Sequence, residues 1–227
     1  MNEETLYRRR KKNARIAGLW YGVLAMALFP EMLRNRLFVF GDIARTSSNV
    51  LSNESLFRAS VLGDTVFLVA FLLLSLSLYN LLKDVRQTVA KLMVALVVVA
   101  LPIALLNNAN ELTALSLFAK GEPTQAMAYI DAFSNGGLIA EVFWGLWLFP
   151  LGFLMFQSGF MPKTLGALVM IGCFGYLADS VAGIMSPSAR GMMGPAVGIS
   201  AIAEIATLLW LLIWGVKRPR DTAASPK

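Results

Sequence analysis

A chain of 227 residues that is 57% hydrophobic and only 15% charged is too apolar for an ordinary soluble domain, whose apolar share is about 45–50%. The net charge of +6 comes from basic residues that flank apolar stretches and form no separate basic domain, which excludes a nucleic-acid-binding reading. With no histidine and a single cysteine, Cys173, the chain lacks the ligands of His-bound haem and of the usual catalytic zinc, the Ser-His-Asp and Cys-His constellations, and any intramolecular disulfide, so no cofactor or metal is expected.

Six apolar stretches follow one another, each close to the ~20 residues that cross ~30 Å of hydrocarbon. They predict an all-α, polytopic membrane bundle of six transmembrane helices. The first covers 14–33 and follows the basic run Arg8, Arg9, Arg10, Lys11, Lys12. Its Ala25-Met26-Ala27 also suits a signal-peptide cleavage site, which would leave five spans and an external N-terminus. The apolar run before Ala27 is short enough for that, but no mature domain that needs export follows, and six spans are preferred. The long connection 34–58 contains GDIARTSSNVLSNESLFR, read as a short surface helix capped near Asp42. The second span, 59–82, ends in the polar turn Lys83-Asp84-Val85-Arg86-Gln87. The third, 92–112, carries Pro102 as a candidate kink, and KGEPTQAMAYID leads on as a loop. The fourth, 136–156, carries a second candidate kink at Pro150. In QSGFMPKT, Gly159 can end one helix and Pro162 suits the first turn of the next. So short a link predicts an antiparallel hairpin with the fifth span, 165–184. SPSARGMMGP precedes the sixth, 196–216, where Gly194 and Gly198 read as a small-xxx-small packing pair. The organisation is a basic segment 1–13, a membrane domain 14–217 and a polar tail 218–227.

Counting Lys and Arg orients the bundle. The N-terminal segment, the second and fourth connections and the C-terminus hold fourteen of the twenty; Arg34, Arg36, Arg45, Arg58, Lys120 and Arg190 are on the other side. Both termini are therefore cytoplasmic. Trp20, Tyr21, Tyr79 and Trp214 are then expected in the aromatic belt at the cytoplasmic interface.

Local sequences resemble one membrane family. ARIAGLWYGVL from Ala14, GDIARTSSNVLSNESLFRASVLGD from Gly41, GFLMFQSGFMPKTLGALVMIGCFGYLADS from Gly152 and EIATLLWLLIWGVK from Glu204 are similar to the bacterial integral-membrane family called domain of unknown function 4386. The resemblance covers roughly residues 14–217 and is most specific from Ser158 to Leu177. It implies a multi-span protein of the bacterial inner membrane, and supplies no activity and no site residues.

Each span contains or borders one acid: Glu31, Asp64, Glu111, Glu141, Asp179 and Glu204. At ~1.5 Å per residue from the cytoplasmic boundary, Glu204 is ~15 Å deep, Glu31, Glu141 and Asp179 ~21–23 Å, and Asp64 and Glu111 ~27–29 Å. All lie at or beyond the middle of the hydrocarbon, which suggests a polar pocket open to the outside. Helical spacing places Tyr176 with Asp179, Ser200 with Glu204, and Asn107 with Glu111, each pair on one helix face. The candidate binding residues are Glu141, Asp179, Glu204, Asn107, Tyr176, Asp64 and Glu111, with the first three expected to face one cavity. Trp144, Trp147 and Phe143 offer an aromatic wall for a cation. The plainer reading makes Glu31, Asp64 and Glu111 interfacial groups paired with Arg34, Arg36 or Arg58.

Two functional expectations follow. One is a protein that binds or moves a small cationic solute or protons through an outward-facing acidic pocket. The alternative is a non-catalytic scaffold, sensor or accessory subunit in the lipid bilayer, with structural acids and an unknown protein partner. Without histidine or a nucleophile motif, an intramembrane enzyme is disfavoured.

Overall fold

The computed structural model describes residues 3–39, 41–186, 189 and 192–217. The tail 218–227 and Arg190 of the charge count lie outside the described residues. The described chain is helical and contains no strand. In order come α1 (Glu3–Ala25), α2 (Leu28–Leu37), α3 (Ile43–Ser52), α4 (Glu54–Leu82), α5 (Gln87–Ala119), α6 (Pro123–Leu146), α7 (Leu148–Gln157), α8 (Lys163–Met185) and α9 (Gly194–Ile213). Six spans are long and apolar enough to cross a membrane; α1 with α2 makes the first, and α6 with α7 the fourth.

Several elements run past their expected ends. α1 begins at Glu3, so the basic run is helical and continuous with the first span. KGEPTQAMAYID is mostly helix, because Pro123 suits the first turn of α6 and helix-forming residues follow it. Only residues 120–122 remain as the turn, with Gly121 at φ +76°. The surface helix α3 is capped as expected: the Asp42 carboxylate accepts from Arg45 N at 2.8 Å. Its Asn49 side chain donates to Leu37 O, satisfying an end carbonyl of α2.

The first and fourth spans are both broken immediately before a Leu-Phe-Pro sequence, at Met26–Ala27 before Leu28-Phe29-Pro30 and at Trp147 before Leu148-Phe149-Pro150. Proline has no N–H for the carbonyl four residues back, here Met26 and Leu146, and its ring crowds that carbonyl. Met26 and Ala27 form a turn in which Phe29 N donates to Met26 O at 3.0 Å. At the second break, Trp147 N donates to Phe143 O at 3.1 Å. α5 continues through Pro102 without a break.

Consecutive spans pack side by side in chain order, and α9 returns to α1 to close the ring. α7 and α8 form the expected hairpin. A methyl group at Gly152 would come within 2.5 Å of Gly166 O, so these two helices meet backbone to backbone. α8 and α9 meet at Gly172, whose carbonyl accepts from Ser200 Oγ. Gly194 and Gly198 make no such contact, since nothing lies within 4 Å of either position where a side chain would start. The expected packing pair is therefore supplied from α8, not α9. Leu62, Val98, Leu106, Phe174 and Ile202 point outward and are the surface that lipid covers.

The basic end is tied together. Arg9 pairs with Asp84 at 2.6 Å, Arg10 lies 4.5 Å over the Phe160 ring, and Lys217 N donates to Phe160 O at 2.9 Å. Reporter fusions at Lys83 and Lys163 should give cytoplasmic signal and a fusion at Lys120 external signal. A cytoplasmic signal at Lys120 would overturn this topology.

Candidate functional site

A large apolar core fills the half of the ring at the basic end, with Leu74, Leu78, Met93, Leu151 and Leu154 fully buried. A smaller one, including Phe57, Leu115 and Phe118, lies toward the opposite end. The polar residues lie between them. The floor of this layer is aromatic: Trp147 packs edge-on against Phe71 at 4.8 Å and against Tyr21 at 6.4 Å. Above the floor is a cavity of about 410 Å³, within the range of small-molecule sites. Both helix breaks open onto it, through Ala25 and Ala27 at one and Trp147 at the other.

Four acids line the cavity: Glu31, Asp64, Glu141 and Glu204. The Glu204 carboxylate is fixed by two phenols, accepting from Tyr176 at 2.8 Å and from Tyr21 at 3.1 Å. Phe67, Phe71, Trp144 and Trp147 complete an aromatic wall, while Phe143 takes no part in it. The lining residues include no Lys or Arg.

Of the residues singled out in the sequence, Glu141, Glu204, Tyr176 and Asp64 come together here. Asp179 does not join them; it is partly buried on α8, and its Oδ1 has no hydrogen-bond partner. Its position three residues beyond Tyr176 turns it about 60° around the helix and moves it about 4.5 Å along the axis. Asn107 also lies outside the cavity, donating to Phe133 O at 2.7 Å and so pinning α5 to α6. Glu111 is fully buried among its neighbouring helices, and α5 continues beyond it for two more turns to Ala119. Its partner is Arg34, as is that of Asp64; Arg58 pairs with Glu54 instead.

Tyr21 is the main correction. It is buried and bonded to Glu204, not placed in an interfacial belt. Ala14, Ala17, Tyr21 and Leu24 form one buried stripe of α1, and that spacing was the available signal. Trp214 is exposed and stacks on Trp210 at 5.1 Å, as an interfacial ring can.

Ring, spans and charge distribution define a multi-pass membrane protein of the helical-bundle class. The chain belongs to the family described as "Domain of unknown function (DUF4386)", which it matches over residues 16–215. An uncharacterised protein of the archaeon Archaeoglobus fulgidus is 30% identical over 163 residues, covering 70% of this chain and 85% of that protein. No solved structure matches the chain.

Proposed function

We propose that this protein sits in the cytoplasmic membrane, the inner membrane in a two-membrane cell, and binds a small organic cation from the outer side. The observation that carries this reading is the lining of the cavity: four carboxylates beside an aromatic wall, with no basic side chain among them. Carboxylates attract positive charge, and indole and phenol faces hold alkylammonium groups by cation–π attraction. A bare metal ion fits less well. It needs a close shell of oxygen, nitrogen or sulfur ligands, and among the described residues no group of three or more Asp, Glu or Cys could hold one. The scaffold reading is favoured at one place, where Arg34 holds Asp64 and Glu111 as a structural clasp.

Trp144 and Trp147 provide the readout, since both rings face the cavity. Benzylammonium added to the detergent-solubilised protein should change tryptophan fluorescence saturably. Benzyl alcohol, similar in shape but uncharged, should bind at least about tenfold more weakly, a difference of about 1.4 kcal/mol. Equal responses to the two, or no saturable response to the amine, would remove this reading.

A further inference from the structure

We propose that Glu111 is a proton-binding site coupled to the cavity through Arg34, so that a cation entering at Asp64 drives a proton off Glu111. The cation in this statement rests on the function proposed above; the proton site does not.

The geometry is a single base between two acids. The Arg34 guanidinium of α2 bonds the Asp64 carboxylate of α4 and lies 3.5 Å from the Glu111 carboxylate of α5. The Phe133 ring of α6 covers its face at 5.1 Å. The two acids differ in what they reach. Asp64 lines the cavity, whereas Glu111 is absent from its lining and its side chain is 0% exposed. Arg34 therefore joins an acid that a solute can touch to one that it cannot.

The charges do not cancel. Two carboxylates and one guanidinium leave one excess negative charge in a region of low dielectric, where an uncompensated charge is strongly unfavourable. One proton removes it. Glu111 is the acid placed to carry that proton, because it is the more deeply buried of the two and its Oε1, 3.5 Å from Arg34 Nη1, accepts no hydrogen bond. Asn108, one turn earlier on α5 and only 8% exposed, has an equally unpartnered Nδ2. Two buried polar atoms left unsatisfied on one helix face are not what a finished structural clasp requires.

No other charged group in the surroundings plays this part. Glu31 of α2 lines the cavity with Asp64 and adds negative charge beside it without touching Arg34, and Glu54 and Arg58 of α4 pair with each other. Arg45 of α3 and Tyr129 and Asp131 of α6 are exposed, Glu141 of α6 lines the cavity, and α7 contains no titratable residue.

The exchange balances. A cation at Asp64 replaces Arg34 there, and Arg34 turns fully to Glu111. The carboxyl O–H of Glu111 breaks, its electron pair stays on the carboxylate, and the proton passes to water. One positive charge enters the site and one leaves.

Two measurements on the full-length protein test this. In weakly buffered detergent solution, benzylammonium binding should release about one proton per bound cation, and Glu111→Gln should bind the amine while releasing almost none, as linkage requires. Release undiminished in Glu111→Gln, or amine binding by the parent protein without release, would overturn the coupling. Infrared spectroscopy in the absence of amine examines the proton site alone. The parent protein at neutral pH should show a protonated-carboxyl band that Glu111→Gln lacks. If the amine fails to bind but this band is found, the cation reading fails and the proton site stands; if no such band is found, the proposal fails whatever the amine does. Should Glu111→Gln not fold, Glu111→Asp must shift the band, and an unmoved band excludes Glu111 as its source.

Discussion

Replacing Arg34 with methionine should destabilise the protein by about 3–5 kcal/mol, because it removes the cation from a buried ion cluster and leaves the Asp64 charge uncompensated. Asp64 would then stand beside the protonated Glu111 with no cation to balance it. At roughly 2–4 °C per kcal/mol for a chain of this size, the thermal midpoint should fall by roughly 10 °C. The loss has a pH signature with a definite sign. Protonating Asp64 removes the charge that Arg34 had balanced, so the deficit should narrow as pH falls, and it should widen as pH rises and Glu111 loses its proton. The triple variant Arg34→Met, Asp64→Asn, Glu111→Gln should recover most of the stability, since a buried ion cluster replaced as a whole is often near neutral. A single variant that melts with the parent at every pH would show that the cluster does not form. α2 would then be held by the burial of Leu33 and Leu37 and by the seating of Pro30 against Gly63 of α4.

The spans were legible in the sequence because length and apolarity alone decide them: backbone that faces lipid must satisfy its own hydrogen bonds, and a run of about 20 apolar residues has one way to do so. The breaks were less legible. Pro150 stood out inside an apolar run, but Pro30 fell near the expected end of the first span, where a proline reads as termination and not as a joint between two half-helices. The layer of acids was legible from depth, since Asp64, Glu141 and Glu204 are all remote from the basic end. Which of them share a cavity was not. That depends on how each helix is rotated about its axis, and single-helix spacing gives faces without saying which neighbour they meet. Asp179 and Tyr176 show the limit: they share a broad face of α8, yet only Tyr176 reaches the cavity. Tyr21 shows the converse, because a ring near a basic run suits a membrane interface as well as a core until its partner, Glu204, is seen on the neighbouring α9.

Glu204 gives the second large effect. Its two oxygens are held by Tyr176 and Tyr21 from opposite sides, on α8 and α1, so the carboxylate is oriented before any ligand arrives. A carboxylate has about four lone-pair sites, and two phenol donors leave room for an ammonium group. Glu204→Gln keeps the shape and removes the charge. Its amide oxygen can still accept from one tyrosine, but its NH₂ cannot accept from the other. If the cavity recognises a cation, benzylammonium binding should weaken by about 30-fold or more, corresponding to at least about 2 kcal/mol for loss of a buried charge partner. Tyr176→Phe removes one donor and leaves the charge, so its effect should be under about tenfold, near the roughly 0.5–1.5 kcal/mol of one hydrogen bond. That ranking separates recognition from structural glue. Were Glu204 only a clasp between α1, α8 and α9, both variants would lower the thermal midpoint and neither would change the preference for benzylammonium over benzyl alcohol. Retention of amine affinity within about threefold in a folded Glu204→Gln protein, a change under about 0.7 kcal/mol, would rule out this carboxylate as the cation's partner and leave Glu141 as the acid to test.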